Sequence, residues 1–311
     1  MNPVLVSAGE VARLLPLADC IPLMREAMTA LATGRTAQSL RQIVDLGAGD
    51  LFGSMPGAML DGVFGAKLVS VFPGNAALGR MSHQGVVVLF DRDTGEPTAI
   101  VEAGELTATR TAAASAAATD ALARADASKL AILGTGEQAR RHIAAMRLVR
   151  PIARVLVWGR SPEKAKALAA EMDAEAADSV EAAVREADIV CATTGAPEPI
   201  LAGLWLKSGA HVNLVGSSRA GPAEADNDLV VRARFFADHR EGVLAQGAEF
   251  LNAKAAGLVG DDHVVGEIGQ VFAGTLAGRQ DEEQVTVYKS LGSIVQDLAA
   301  TAFVVDRLAK S

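Results

Sequence analysis

The sequence predicts a protein of the α/β class, in which a doubly wound parallel sheet follows a smaller α+β domain. From residue 129 onward, short apolar runs alternate with helical segments, which is the pattern of parallel strands joined by helices. Residues before 104 lack that alternation and carry β-branched runs broken by glycines. The length of 311 residues favours about two domains. We predict one over residues 1–120, joined by a C-terminal helix over 289–311, and another over 121–288.

The N-terminal part reads as helix, strands, hairpin and helix in that order. Apolar residues recur at helical spacing over residues 11–31, whereas residues 40–72 read as short strands. Residues 85–91 and 97–103 flank the turn Asp-Thr-Gly-Glu, which is typical of a hairpin. Residues 105–124 are rich in alanine and contain neither glycine nor proline, so they predict a helix.

The C-terminal part alternates strands and helices. The predicted strands are Lys129–Leu133, Ala153–Trp158, Asp188–Thr193 and Ala210–Val215. Helices are predicted after the first two strands and over residues 179–187. Apolar residues at helical spacing predict one long final helix from Tyr288 to about Lys310.

Composition excludes several classes of function. The net charge is −8, which disfavours a protein that binds a phosphate backbone, so no nucleic-acid partner is expected. Aromatic residues are few, which disfavours a base-stacking surface. The two cysteines lack metal-ligand spacing and suit a reducing cytoplasm. No apolar run reaches the ~20 residues of a membrane span, so no membrane partner is expected.

A glycine motif after the first predicted parallel strand indicates a dinucleotide site. The motif is Gly134-x-Gly136-x-x-Ala139, and it stands between a strand and a helix. Gly134 permits the tight turn, Gly136 lets a pyrophosphate approach the backbone, and Ala139 lets the helix pack closely on the strand. The N–H groups at the helix N-terminus then face the phosphates. This is the Rossmann-type fingerprint, although a merely tight turn would also use glycines.

The end of the next strand indicates which dinucleotide binds. An enzyme that uses NAD usually places an acidic residue there, to accept bonds from the ribose hydroxyls. This chain has Arg160 and Ser161, which suit a 2′-phosphate. We therefore predict that NADP(H) is preferred and that NAD(H) is possible, because Glu163 could still reach a ribose. Arg160 could alternatively be a solvated surface residue.

Cations in apolar surroundings indicate an anionic substrate. Lys67 lies inside a buried-looking strand and Arg110 inside a helix of small residues, where an unpaired charge is costly. With Arg41, which precedes a strand, they could hold a carboxylate. Lys67 could instead be an edge-strand lysine with a solvated head, and Arg41 alone reads as a surface residue.

Two acidic residues follow the last predicted parallel strand, in the loop over residues 216–228. Ligands of such sheets bind at the carboxyl ends of the strands, so Glu224 or Asp226 could face the nicotinamide. A helix-capping role for Asp226 is the simpler alternative.

Six stretches in the same order resemble the ornithine cyclodeaminase/mu-crystallin family over nearly the whole chain. They are GAKLVSVFPGN, SHQGVVVLFD, TATRTAAASAAAT, LAILGTGEQAR, GSSRAGPAEADNDL and VYKSLGSIVQDLAA. The resemblance implies an N-terminal domain that dimerises through its sheet, a Rossmann domain and a final helix that returns to the first domain. It implies a homodimer.

The resemblance also implies roles for individual residues. Arg41, Lys67 and Arg110 would hold the substrate carboxylate, and Asp226 would act as acid or base; Asp226 and Lys67 would be the catalytic residues. The residues implied at the dinucleotide are Ser82, His83, Arg110, Gly134, Thr135, Gly136, Glu137, Gln138, Arg160 and Ser161. No metal is implied.

The loop GSSR and the arginine at the cofactor end are more similar to the reductases of the family than to its cyclodeaminases. They favour an NAD(P)H-dependent reductase. Residues 238–246 resemble bacterial relatives that reduce Δ1-pyrroline-2-carboxylate and Δ1-piperideine-2-carboxylate, so the resemblance implies a reductase of cyclic imino acids that gives proline or pipecolate. The alternatives are an ornithine cyclodeaminase, an open-chain amino acid dehydrogenase, and a crystallin-like protein that binds NADPH without turnover.

Overall fold

The computed structural model describes residues 3–80 and 82–310. The strands are β1 (Val4–Val6), β2 (Thr36–Gln38), β3 (Gln42–Gly47), β4 (Asp50–Met59), β5 (Phe64–Val71), β6 (His83–Phe90), β7 (Pro97–Glu102), β8 (Lys129–Leu133), β9 (Arg154–Trp158), β10 (Glu175–Ala176), β11 (Ile189–Ala192), β12 (His211–Leu214), β13 (Arg234–Ala237), β14 (Val264–Glu267) and β15 (Thr286–Lys289). The helices are α1 (Ala8–Leu14), α2 (Leu17–Ala32), α3 (Ala103–Leu122), α4 (Glu137–Val149), α5 (Pro162–Glu171), α6 (Val180–Val184), α7 (Asn227–Arg232), α8 (Arg240–Gln246), α9 (Ala248–Ala255), α10 (Ile268–Phe272) and α11 (Ile294–Ala309).

The chain divides into two compact units. The first comprises the chain up to Arg110 together with the part from Ser293 onward, and the second is Thr111–Gly292. The domain limits predicted from the sequence were residues 120 and 288. The first division lies within α3.

The first unit is built on a mixed sheet of seven strands. Its order is β1-β7-β6-β5-β4-β2, with β3 paired to β4, and all its neighbours are antiparallel except β1 and β7. The helix α11 packs against β4, β5 and β6. A side chain at Gly57 of β4 would meet Ile294 Cγ2 at 2.5 Å, so glycine permits the close approach of this helix. The long side chains of α11 and β5 are thereby brought together.

The second unit contains an eight-stranded sheet in which every pairing is parallel. The order is β10-β9-β8-β11-β12-β15-β13-β14. The strands β11, β12 and β15 are buried at every position, as expected for a sheet covered by helices on both faces. The strand order reverses between β8 and β11. Ligands of open parallel sheets bind at the carboxyl ends of the strands at such a switch point.

The predicted fold class is confirmed, including the hairpin of β6 and β7 and the alternation of strands and helices from residue 129. The prediction for the last helix is wrong at its start. Tyr288 and Lys289 belong to β15, in the interior of the parallel sheet, and α11 begins only at Ile294 with Ser293 as its cap. The β-branched run before Tyr288 favours a strand, and Gly292, at φ +84°, separates the two elements. The helix predicted over residues 179–187 is shorter, Val180–Val184.

Candidate active-site elements

The glycine loop after β8 has the geometry that the fingerprint predicts. Gly134 has φ +130°, in the region that favours glycine. A Cβ atom at this position would lie 2.7 Å from Thr193 Oγ1 and 2.8 Å from the Thr193 carbonyl oxygen. The loop therefore passes directly against the residue that follows β11, at the switch point of the sheet.

The N-terminus of α4 is open for an anion. A Cβ atom at Gly136 would have no neighbour within 4 Å, and no side chain caps this end of the helix. The Glu137 carboxylate is turned to Arg140 and Arg141, at 2.9 and 2.7 Å, so its charge is neutralised within the helix. Ala139 is fully buried, which brings α4 close to the sheet. Open space, free N–H groups and the helix dipole together fit the pyrophosphate of a dinucleotide.

Gln138 and Thr135, two residues predicted to contact the dinucleotide, lie in different surroundings. Gln138 Oε1 is buried and accepts no hydrogen bond within the described chain, so it is an acceptor without a donor. Thr135 lies against Gly159, where a Cβ atom would come within 2.4 Å of Thr135 Cγ2. Glycine at the end of β9 thus lets the first and second βα turns approach each other.

The end of β9 presents a cation that no acidic side chain pairs with. Arg160 is exposed, and within the described residues its guanidinium forms no ion pair. Ser161 caps α5, accepting from the Lys164 N–H at 3.3 Å, and its hydroxyl donates to Glu163 Oε2 at 2.9 Å. The Glu163 carboxylate, which was the alternative ribose ligand, is therefore held by Ser161.

Glu224 ties the loops after β11 and β12 together. Its carboxylate accepts from the Thr194 N–H at 2.6 Å and the Thr194 hydroxyl at 2.9 Å, and from the N–H groups of Gly216 at 2.7 Å and Val215 at 3.2 Å. Burial raises the pKa of Glu224, and the nearby Lys289 ammonium opposes that rise. These bonds join the residues that follow β11 to those that follow β12, so Glu224 has a structural role in connecting the ends of the two strands.

Asp226 serves as a helix cap. Its Oδ1 atom accepts from the Leu229 N–H of α7 at 3.0 Å and from the Gly203 N–H at 2.9 Å. The capping role that the sequence allowed is present in the structure. A second, catalytic role for the half-buried Asp226 stays a prediction.

A buried ion pair behind the Glu224 loop was not predicted. Lys289 at the end of β15 pairs with Glu249 Oε2 of α9 at 2.7 Å and donates to the Ser217 carbonyl at 2.7 Å, and both side chains are fully buried. Glu249 Oε1 accepts from the Glu224 N–H at 3.0 Å. The sequence predicts Lys289 in a helix, which conceals its position in the sheet. The pair anchors the loop that follows β12.

In the first unit, two of the three predicted cations converge on one carboxylate. Asp297 Oδ1 of α11 accepts from Lys67 Nζ at 3.1 Å and from Arg110 Nε at 3.0 Å. Lys67 also donates to Thr107 Oγ1 at 2.6 Å, and Arg110 Nη1 donates to Gln296 Oε1 at 2.7 Å. Lys67 and Arg110 are 3% exposed and Asp297 is fully buried. We call Lys67, Arg110 and Asp297 the buried triad.

The charges around the triad are predominantly positive. Burial lowers the pKa of Lys67 to about 8, the negative charge of Asp297 opposes this fall, and the positive charges of Arg110 and Arg41 add to it. Packing around the imidazole, together with the charges of Lys67 and Arg41, lowers the pKa of His83, although that residue keeps an exposed surface. The Ser82 hydroxyl lies 3.0 Å from His83 Nδ1. Two cations thus share one carboxylate while the charge of a third, Arg41, acts on Lys67, which leaves this region attractive to an anion.

The sequence does not predict site roles for Asp297 and Gln296, because both lie within a segment that predicts only an amphipathic helix. An available signal was the charged residue Asp297 on the apolar face of that helix, since a buried carboxylate requires cationic or hydrogen-bonding partners. Among the described residues, no group of three or more His, Cys, Asp or Glu side chains could hold a metal ion. Within the same residues, no helix combines the length and hydropathy needed to cross a bilayer.

The parallel sheet with its glycine loop and the buried cations define the class of nicotinamide-dinucleotide-dependent oxidoreductases. The family model described as "Ornithine cyclodeaminase/mu-crystallin family" matches residues 1–311. The chain belongs to this family, as the resemblance of its six stretches implied.

Individual relatives are similar over nearly the whole chain. The Δ(1)-pyrroline-2-carboxylate reductase of Paracoccus denitrificans is 36% identical over 289 residues, which cover 90% of this chain and 91% of the relative. The structure of the Thermococcus litoralis Δ(1)-pyrroline-2-carboxylate reductase with NADH and L-proline matches at a TM-score of 0.95 and 29% identity, covering 99% and 98% of the two chains. An archaeal alanine dehydrogenase dimer with bound NAD matches at 0.93 and 27%, covering 100% and 97%.

Proposed function

We propose that the protein is an NAD(P)H-dependent reductase of cyclic imino acids, which reduces Δ1-pyrroline-2-carboxylate or Δ1-piperideine-2-carboxylate to L-proline or L-pipecolate. The observation that carries this proposal is the excess of positive charge in the first unit, where the buried Lys67 and Arg110 share the single carboxylate of Asp297 and the charge of Arg41 acts on Lys67. A substrate carboxylate would complete the charge balance. The T. litoralis relative, solved with L-proline, supports an amino acid as the product.

The triad retains donors for such a carboxylate. An ammonium has three N–H donors, and Thr107 and Asp297 use two of those on Lys67. Arg110 uses its Nε and Nη1 atoms for Asp297 and Gln296, and Nη2 makes no hydrogen bond within the described chain. We assign these remaining donors, together with Arg41, to the substrate carboxylate through charge-assisted bonds.

The reaction needs a hydride at C2 of the imine and a proton at its nitrogen. A bound dinucleotide would supply the hydride. The residues proposed to hold it are Gly134–Gln138, Arg160 and Ser161, and the family resemblance adds Ser82, His83 and Arg110. Reduction would convert the C=N double bond to a C–N single bond, with a new C–H bond from the hydride and a new N–H bond from the proton, while the dinucleotide is oxidised. The protein contributes binding, orientation and the proton.

We assign the proton to Lys67 in preference to Asp226. The pKa of Lys67 is lowered to about 8, so its ammonium is present at neutral pH and gives up a proton readily. The imine nitrogen is bonded to the carbon that carries the carboxylate, so one ammonium can contact both groups. Asp226 is occupied as the cap of α7 and remains the alternative donor.

NADP(H) is proposed as the preferred dinucleotide. The exposed Arg160 and the engagement of Glu163 by Ser161 support recognition of a 2′-phosphate. Relatives bind NADH or NAD, so NAD(H) stays a second possibility.

A homodimer is proposed, formed through β3 and β4. Every residue of β3 is exposed, and the large apolar side chains Ile43, Val44, Leu46 and Phe52 are 40–56% exposed. Apolar exposure on this scale along an edge strand favours pairing with a second copy. The free, buried thiols Cys20 and Cys191 support the expected cytoplasmic location.

The test is a substrate panel with NADPH and with NADH, followed by loss of the reduced nicotinamide absorbance. It includes the two cyclic imines, ornithine, and pyruvate with ammonia. We expect turnover with a cyclic imine, one reduced dinucleotide consumed per amino acid formed. Release of ammonia from ornithine without net change in the dinucleotide would indicate a cyclodeaminase. Preference for pyruvate with ammonia would indicate the open-chain dehydrogenase that the alanine dehydrogenase match favours. Binding without turnover of any substrate would indicate a crystallin-like role.

A further inference from the structure

We propose that Asp297 is a positioning residue, which holds the Lys67 ammonium and the Arg110 guanidinium together as one carboxylate-binding pair and keeps Lys67 charged at neutral pH. This inference rests on the proposed function for its consequence in catalysis. It concerns a residue on α11 that would not itself touch the reacting atoms.

The geometry of the triad carries the proposal. One oxygen atom, Asp297 Oδ1, accepts from both cations at 3.1 and 3.0 Å. Two buried positive groups repel each other when no anion lies between them, because water cannot screen them. Asp297 removes that repulsion at the point where the two side chains come closest. Its charge therefore determines whether both cations can be present together.

The backbone of α11 around Asp297 is fixed by several contacts. Gly57 permits the close approach of Ile294, in the first turn of this helix. Ser293 caps the helix and donates to Gln38 Oε1 at 2.7 Å, and the Thr301 hydroxyl donates to the Asp297 carbonyl at 2.7 Å. The other carboxylate oxygen, Oδ2, is buried without a hydrogen-bond partner within the described residues. The carboxylate thus depends on the two cations for most of its stabilisation.

The charged groups around Lys67 come from several elements of the first unit. They are Arg110 of α3, Asp297 of α11, Arg41 before β3 and His83 at the start of β6. Asp297 is the only negative group in this set. Cys20 of α2 lies near Arg110, but burial raises the pKa of its thiol to about 12, so it is neutral. Burial raises the pKa of Asp297, but the charges of Arg110 and Lys67 lower it by more. The pKa therefore lies below its usual value, and Asp297 is charged near neutral pH.

The experiment measures the protonation of Lys67 directly in the full-length protein. Lysine labelled with 13C at Cε gives one resonance per residue, and the Lys67 signal is assigned by its loss in Lys67→Met. In the wild-type protein we expect a midpoint near pH 8. Removing the charge in Asp297→Asn destabilises the ammonium, so the midpoint falls by at least about 1 pH unit. An unchanged midpoint would overturn the proposal.

A second measurement follows binding of pyrrole-2-carboxylate, a planar carboxylate whose ring nitrogen does not titrate in this range. Asp297→Asn should weaken binding by at least about 5-fold near pH 8, and the deficit should shrink towards pH 6, where Lys67 is again protonated. Thr107→Val is the matched control, because it removes a neutral partner of the same ammonium. Its effect on the Lys67 midpoint should be smaller. An equal effect of the control would mean that charge is not the cause.

Asp297→Asn leaves two buried cations without an anion and could fail to fold. In that case the triple variant Asp297→Asn/Lys67→Met/Arg110→Met, which leaves no charge in the triad, should recover the folded state. Failure of the triple variant as well would overturn the proposal, because Asp297 would then support the fold independently of the two cations. If the midpoint shifts as expected but no imine is reduced, the proposed function is wrong and the role of Asp297 still stands.

Discussion

Replacing Lys67 by methionine tests whether this residue serves function at the expense of stability. Methionine keeps most of the volume and removes the charge. The pKa of Lys67 is lowered to about 8 from a usual value near 10.5, chiefly by burial. The folded state therefore binds this proton less tightly than the unfolded state does. The corresponding cost to folding is about 3 kcal/mol, fully present below about pH 8 and lost as the pH rises towards 10.5.

One contact opposes the stability that the variant gains. The lowered pKa of Lys67 already includes its attraction to Asp297, but the variant also loses the bond from Lys67 to Thr107, which contributes about 1–3 kcal/mol. Arg110 stays beside Asp297, so that carboxylate remains paired. The two terms largely offset each other, and we expect a melting temperature within a few degrees of the wild-type value at pH 7. Activity should change far more, since truncating one partner of a buried charged contact costs roughly 2–5 kcal/mol, a loss in kcat/KM of about 30- to 5000-fold.

Urea unfolding at a series of pH values checks both parts of this reasoning. The unfolding free energy of the wild-type protein, minus that of Lys67→Met, should rise by about 3 kcal/mol between about pH 7.5 and 10.5. A flat difference would show that Lys67 titrates normally. Full activity in the variant would show that the ammonium does not hold substrate, and a collapse of the fold at pH 7 would assign it a structural role.

Three further predictions concern the dinucleotide, the proton and the dimer. Arg160→Ala should weaken NADPH binding by about 10- to 150-fold and leave NADH nearly unchanged, as measured by fluorescence titration, whereas equal losses would remove Arg160 from the phosphate site. Asp226→Asn keeps an oxygen that can cap α7, so stability should change by less than about 0.5 kcal/mol and kcat should be retained; a fall in kcat of about 10²-fold, and none in Glu224→Gln, would return the proton to Asp226. Val44→Glu should convert a dimer to a monomer in analytical ultracentrifugation, and a wild-type monomer at micromolar concentration would contradict the proposed interface.

The parallel sheet and its glycine loop could be predicted from the sequence because both are local patterns. The loop needs glycine at Gly134 for its positive φ and at Gly136 for open space, and strands buried on both faces appear as short apolar runs. The strand β15 could not be predicted in the same way. Its apolar run is short, and the apolar residues of α11 follow at helical spacing, so the sequence predicts that the helix already begins at Tyr288.

The candidate site was only partly predictable because ion pairing is non-local. Lys67 and Arg110 stood out as cations in apolar surroundings, but their shared partner Asp297 is 230 and 187 residues away along the chain. The same holds for Lys289 and Glu249, whose pairing depends on the position of β15 in the sheet. Asp226 shows the opposite case, since its capping role follows from the residues just after it.

We propose that the cations of the first unit hold the carboxylate of a cyclic imino acid. The most direct test compares two enzymes, the wild-type protein and Lys67→Met, on two substrates. The substrates are Δ1-pyrroline-2-carboxylate and Δ1-pyrroline, which lacks the carboxylate. The preference for the carboxylated imine in kcat/KM should be about 10- to 150-fold smaller in the variant, the value of a charge-assisted bond. The same preference in both proteins would contradict the account, because Lys67 would then not recognise the carboxylate.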